Sequence, residues 1–134
     1  MAKSHGEEII AQILRETGIP FHREYSFPDL KSVKGRPLRF DFAIYNESGI
    51  TTLIECQGSQ HFTYVEHFSK SKQAWHMARE NDLRKCRYCL MNNIPLYCIP
   101  YTDISNLRVY NDLIKEEYLV KDKWHNYTHN PNKN

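Results

Sequence analysis

Two acids stand in consecutive apolar runs of this chain. Asp41 lies in Leu-Arg-Phe-Asp-Phe-Ala-Ile, and Glu55 lies in Leu-Ile-Glu-Cys-Gln after a short turn. Gln57 follows Glu55 by two positions, and His61 follows at the exit of the second run. A carboxylate between large apolar residues in a strand is expensive to bury unless a cation or a metal compensates it. Two such carboxylates on one hairpin, with a polar residue and a histidine at its end, suggest metal-assisted hydrolysis. Hard oxygen ligands such as Asp41 and Glu55 suit Mg²⁺ or Mn²⁺. Such a metal polarises a phosphate and lowers the pKa of a bound water. A histidine titrating near pH ~6.5 can serve as general base or as a donor to the phosphate.

The elements that must position these groups are legible as periodicities. Ser4 to Thr17 reads as a helix, with Glu7 three residues after a capping Ser4 and an apolar stripe of Ile9, Ile10, Ile13 and Leu14. Gly18 and Pro20 stop it. Phe21 to Phe27 reads as a strand, and Pro28 to Pro37 as a basic loop. Leu38 to Tyr45 is a strand whose alternation sets Phe40, Phe42 and Ile44 on one face and Asp41 on the other. Ile50 to Gln57 is a buried strand with Leu53, Glu55 and Gln57 on one face and Ile54 and Cys56 on the opposite one. Val65 to Asn92 reads as one long helix, or two with a break near Ser69 to Ser71. Leu96 to Ile99 is a fourth strand, and Ser105 to Tyr118 a last helix. The order predicts an α/β domain with a mixed four-stranded sheet flanked by helices, its last strand parallel to a neighbour. Residues 1–120 are expected to form a single domain, with 121–134 as a polar tail.

The 134 residues are enough for one domain, and 40% hydrophobic content supports a core. No apolar run is long enough to cross a membrane, and the first residues hold no apolar leader stretch. The expectation is a cytoplasmic protein with no membrane partner. A net charge of +2 neither demands nor excludes nucleic acid, because clustering is what counts. The basic residues cluster twice, at Lys31, Lys34, Arg36 and Arg39, and again from Lys70 to Arg87. A solvated face and a phosphate-binding surface explain such clusters equally well. The Cys86-x-x-Cys89 pair with Cys98 invites a zinc reading, but it falls inside a helical pattern with no matching pair, so buried apolar packing is expected instead.

Several ordered motifs carry a resemblance. They are Gly6-Glu7, Arg39-Phe40-Asp41-Phe42, Ile54-Glu55-x-Gln57-Gly58-x-Gln60-His61, Asn81-Asp82-x-x-Lys85 and Ile94-Pro95-Leu96-x-x-Ile99-Pro100-Tyr101. The string resembles the PD-(D/E)xK nucleases of the restriction-endonuclease-like superfamily. It looks most like the branch of very short patch repair endonucleases and phage homing endonucleases of the EDxHD type. Glu7, Asp41, His61 and Asp82 follow that signature in order, and the likeness runs from about Ser4 to Tyr118.

The resemblance implies a restriction-endonuclease-like core and a divalent-metal-dependent DNA endonuclease of the phage or bacterial homing or nicking kind. Its implied catalytic set is Glu7, Asp41, Glu55, Gln57, His61 and Asp82, with Asp41 and Glu55 on Mg²⁺ or Mn²⁺. Glu7 would hold a metal-bound water, unless it is only a capping residue, and Glu8 competes for that role. Asp82 would orient His61 or act as an outer-shell ligand. Lys34, Arg36, Arg39 and Lys85 are the expected contacts to nucleic acid. One departure stands out: Gln57 occupies the position where the family carries lysine. Glutamine orients by hydrogen bonds but supplies no charge. The alternative is therefore a catalytically weakened module that binds DNA or a partner protein. One metal site per chain cuts one strand, so double-strand cleavage would need a homodimer or two sequential nicks. RNA as substrate stays open.

Overall fold

The computed structural model describes residues 5–57 and 72–121. Helix α1 (His5–Thr17) is followed by strands β1 (Phe21–Lys31), β2 (Pro37–Asn46) and β3 (Gly49–Gln57), then helix α2 (Lys72–Met91) and strand β4 (Leu96–Pro100). The chain is an α/β protein with a mixed four-stranded sheet in the order β1-β2-β3-β4. β1, β2 and β3 run antiparallel in turn, and β4 lies parallel to β3 after the α2 crossover. No described helix is long and apolar enough to cross a membrane. His61, Gly58, Gln60 and the expected tail lie outside the described residues, apart from Lys121.

Each helix covers one face of the sheet. α1 buries Ile10, Ala11, Ile13 and Leu14 against Phe42, Ile54 and Ile99. It ends where Gly18 adopts φ 76°, a left-handed conformation that donates its N–H to Arg15 O and turns Ile19 N–H back to Leu14 O. On the other face Cys86 and Cys89 of α2 pack with Phe40, Leu53, Leu96 and Cys98. All four cysteines are free thiols, and Cys86, Cys89 and Cys98 are buried. Burial pushes the Cys89 thiol up to about 12 and Cys98 well above its usual range, which suits apolar packing rather than thiolate ligation.

Three expectations are corrected. The segment 28–31 belongs to β1 rather than to a loop. Pro28 is tolerated there because β1 is an edge strand, where a missing N–H breaks no ladder. Ser105 to Tyr118 is not a helix but part of a series of short 3-10 turns, Tyr101–Asn106, Tyr110–Asp112 and Glu116–Tyr118. The Asp112 carboxylate accepts the backbone N–H groups of Arg108 and Val109, a local bond that competes with helical pairing. After these turns Leu119 bridges to Tyr97, and Val120 donates to Leu96 O, so this segment covers the outer side of β4.

The third correction concerns β2. Phe40 does not share a face with Phe42 and Ile44. It packs in the α2-side core, whereas Phe42 and Ile44 lie in the α1-side core. β1 switches sides at the same level, with Arg23 over the Phe42 ring but Tyr25 and Phe27 in the α2-side core. The register is continuous across the switch, from Arg23↔Phe42 to Tyr25↔Phe40. Between these pairs lie Glu24, at φ 52°, and Asp41. Both strands therefore reverse which face they present at one level of the sheet, and Asp41 sits at that reversal.

Candidate active site

The β2–β3 ladder pairs from Asn46↔Gly49 to Phe42↔Ile54 and is registered no further. Beyond it, side chains take over the backbone's partners. Asp41 N–H donates to Glu55 Oε2 at 2.9 Å, and Cys56 N–H donates to Asp41 Oδ2 at 2.8 Å. The two acids are thus held by each other's strands. This arrangement is how buried polar groups stay satisfied where a sheet splays. Glu55 is buried and Asp41 half-buried.

Lys85 of α2 completes the group. Its Nζ donates to Glu55 Oε1 at 2.5 Å, with only 12% of the lysine side chain and 9% of the glutamate side chain exposed. The same ammonium lies 4.8 Å from the centre of the Phe40 ring. Burial alone would lower the Lys85 pKa, but the charge and hydrogen bond of Glu55 outweigh it, with Asp82 and Asp41 adding to the effect, and the pKa is raised. Asp41 shows the opposite balance. Burial, the neighbouring Glu55 charge and, more weakly, Glu7 push its carboxyl up to about 7, against the pull of the Cys56 N–H and Lys85.

Glu7 and Glu8 separate by environment. Arg23 of β1 holds both, Glu8 at 3.1 Å and Glu7 at 3.6 Å, but the Glu7 side chain is 24% exposed and that of Glu8 48%. Glu7 is the helix acid whose field reaches Asp41. Its placement depends on Gly6, because a Cβ there would fall 2.7 Å from Cys56 Sγ and 3.2 Å from the Ile104 side chain. Only glycine lets the start of α1 approach β3 this closely. Asp82 of α2 is buried and contributes to the negative field around Lys85. Gln57 is buried at the end of β3, level with Pro100 of β4.

Asp41 and Glu55 are the oxygen donors that could hold a hard divalent cation. Burial, and then the neighbouring Glu55 charge, raise the Asp41 carboxyl toward neutrality, and a bound cation would offset both. Among the described residues no group of three or more His, Cys, Asp or Glu side chains is spaced to hold a metal. Mg²⁺ commonly takes one or two carboxylates and completes its shell with waters and substrate phosphate, so a two-carboxylate site suits it.

No protein-family model and no solved structure matches the chain. The chain is similar to the uncharacterized protein 307L of Invertebrate iridescent virus 6, at 34% identity over 131 residues, covering 87% of this chain and 66% of that protein. It therefore spans just under two thirds of that relative's length.

Of the residues expected to carry chemistry, Asp41, Glu55 and Lys85 are joined directly, and Glu7 and Asp82 act on them through their charge. Lys34 and Arg36 lie exposed in the β1–β2 turn. There Arg36 N–H and Lys34 N–H donate to the Ser32 hydroxyl, and Asn81 of α2 accepts the Val33 N–H. Arg39 is exposed and pairs with Glu24. Lys85 is directed to Glu55 rather than to open surface. The signal for this was present in the sequence: Asp82, Cys86 and Cys89 mark the buried face of α2, and Lys85 falls on the same stripe. Arg23, which anchors both helix acids, was not singled out from the sequence.

Proposed function

We propose that this chain is a divalent-metal-dependent endonuclease with a restriction-endonuclease-like core, hydrolysing phosphodiester bonds in DNA. The observation that carries the reading is the pair of hydrogen bonds where β2 and β3 part, Asp41 N–H to the Glu55 carboxylate and Cys56 N–H to the Asp41 carboxylate, with Lys85 seated on Glu55. In this reading Asp41 and Glu55 hold Mg²⁺ or Mn²⁺, which supplies Lewis-acid polarisation of the phosphate and an acidified water. Lys85 provides the positive charge that Gln57 lacks. It reaches the site from α2 and fixes Glu55 in one orientation. Glu7 adds negative charge that favours cation capture over the proton at Asp41, and Arg23 holds Glu7 in place. His61 is proposed as the group that accepts or donates a proton at the phosphate.

The test is cleavage of supercoiled plasmid with Mg²⁺ or Mn²⁺, comparing wild type with Asp41→Ala, Lys85→Met and His61→Ala. Nicked or linear product from wild type, lost in Asp41→Ala, supports the nuclease. A second reading, a DNA- or protein-binding module without catalysis, is favoured by the uncharged Gln57 and by Glu55 being already neutralised by Lys85. Folded protein that binds DNA and cuts in neither metal would establish that reading instead.

A further inference from the structure

On the α2 side of the sheet a row of aromatic rings leads away from the site. The Phe40 ring, beside Lys85, meets Phe27 edge-on at 5.9 Å. Phe27 in turn meets Tyr25 at 5.1 Å and Tyr88 of α2 at 5.0 Å. Tyr25 stacks on His22 at 5.5 Å, and His22 on Tyr45 at 4.5 Å, each pair 18° from parallel. His22 and Tyr25, three residues apart, share this face only because of the reversal at Glu24.

At its α2 end the row opens into a cavity of about 370 Å³ between the end of β1 and α2. Leu30, Tyr88 and Met91 line it with apolar surface, and Lys31, Arg84 and Arg87 bring cationic groups to it. Asp29 and Glu80 also line it, but both are engaged: Asp29 accepts the Tyr88 hydroxyl at 2.7 Å, and Glu80 pairs with Arg84 Nε. Arg84 is further fixed by Nη1 bonds to the carbonyls of Lys31 and Ser32. The walls are therefore preorganised, while Arg87 and Met91, the latter 75% exposed, leave the mouth open.

We propose that this cavity binds one nucleotide of an unpaired nucleic-acid strand, its base against Tyr88, Leu30 and Met91 and its phosphate toward Lys31, Arg84 and Arg87. The neighbouring nucleotides run from the cavity over Phe27 and on along Tyr25 and His22. A space of several hundred Å³ lined by both apolar and cationic side chains suits a single nucleotide. Aromatic rows beside basic side chains bind single strands, because every base has a face to stack. A duplex keeps its bases inside and cannot offer one to a concave wall. Three cations against two engaged acids match one phosphate better than the dense charge of a double helix. The inference rests on the nucleic-acid part of the reading above, and not on cleavage.

The test is fluorescence anisotropy with the full chain in EDTA, where no metal-dependent cutting occurs. The probes are a labelled oligothymidylate, a blunt duplex of equal length and thymidine monophosphate. Wild type should bind the single strand at least about tenfold tighter than the duplex. Arg87→Glu and Met91→Asp, both on the exposed mouth, should each weaken single-strand binding about tenfold with unchanged thermal unfolding. His22→Ala should weaken the oligonucleotide but not the mononucleotide. Equal affinity for both strand states, unchanged binding in the two mouth variants, or a mononucleotide bound as tightly as the oligonucleotide would each overturn the proposal. Single-strand binding through this cavity without cutting in any metal would sink the nuclease reading and leave this one standing. Cutting with binding indifferent to Arg87 and Met91 would do the reverse.

Discussion

Asp41 and Glu55 each depend on the other's strand: the Asp41 N–H binds the Glu55 carboxylate, and the Asp41 carboxylate binds the N–H of Cys56, the residue after Glu55. Neither acid can move without breaking a backbone partner of the other strand. The pair is therefore a fixed dicarboxylate rather than two independent side chains, and this fixity governs how it responds to protons and cations.

The first prediction concerns pH. The Asp41 carboxyl is raised from 3.8 to about 7 by burial and by Glu55. The folded state therefore holds a proton that the unfolded state has lost. Its contribution is fully present below pH 3.8 and is lost as pH rises through about 7. Thermal unfolding in EDTA should show this loss for wild type, and Asp41→Asn should flatten the profile over that window. Stabilisation by Mg²⁺ or Mn²⁺ should grow over the same window, because the cation competes with the proton. A metal-induced shift in melting temperature that is the same on both sides of pH 7 would contradict the assignment.

The second prediction concerns the buried ion pair. Lys85→Met leaves Glu55 in a nearly dry site without its cation, and loss of one partner of a buried pair costs about 3–5 kcal/mol. Adding Glu55→Gln should recover most of that loss in urea unfolding, since replacing both charges is far less costly than orphaning one. Cleavage should stay absent in both variants. A double variant no more stable than Lys85→Met would show that the pair is not coupled as described.

Gly6 supplies the third. A methyl group there would meet Cys56 Sγ at 2.7 Å. Gly6→Ala should destabilise the protein by about 1–3 kcal/mol, the usual range for overpacking. It should also displace Glu7, so cleavage falls further than stability does. Pairing it with Cys56→Ala reopens the space and should restore both, and calorimetry together with the plasmid assay reads the outcome.

The fourth tests the reversal of the strands. Glu24 holds φ 52°, which costs an L-residue about 1–2 kcal/mol. Glu24→Gly removes that strain, against a smaller entropic penalty, and should stabilise by up to about 1 kcal/mol. Its exposed pair with Arg39 contributes little. Glu24→Val, branched at Cβ, should destabilise. Opposite signs in chemical unfolding are the expected result.

Much of the scaffold was legible because it follows local rules. The stripe of Ile10, Ile13 and Leu14 with the Gly18 stop defines α1, and the alternation of Leu53, Ile54 and Glu55 orients β3. The facing of Phe40 was not legible. It depends on a positive φ at Glu24, a residue type that carries no turn signal, on a strand that is separate in sequence. The length of β1 was hidden by Pro28, whose usual meaning is overridden at a sheet edge. The segment after Pro100 has apolar residues at helical spacing. Asp112 nevertheless commits its backbone to tighter turns, and sequence periodicity does not register that competition. In the site, both acids could be read from the sequence, but the cation that serves them comes from α2, some thirty positions from Glu55.

Because β1 and β2 change sides at Glu24 and Asp41, each sets its large apolar residues in the α1 layer at one end and in the α2 layer at the other. Any slippage between those layers must appear as torsion of the backbone between the two ends, and Asp41 lies within that span. The acid thus works as a strain gauge for the alignment of the two cores. A ligand that joins Asp41 on the sheet to Lys85 on the helix would rivet the layers together, and the slowest-exchanging amides would then spread outward from this seam rather than from the centre of either core.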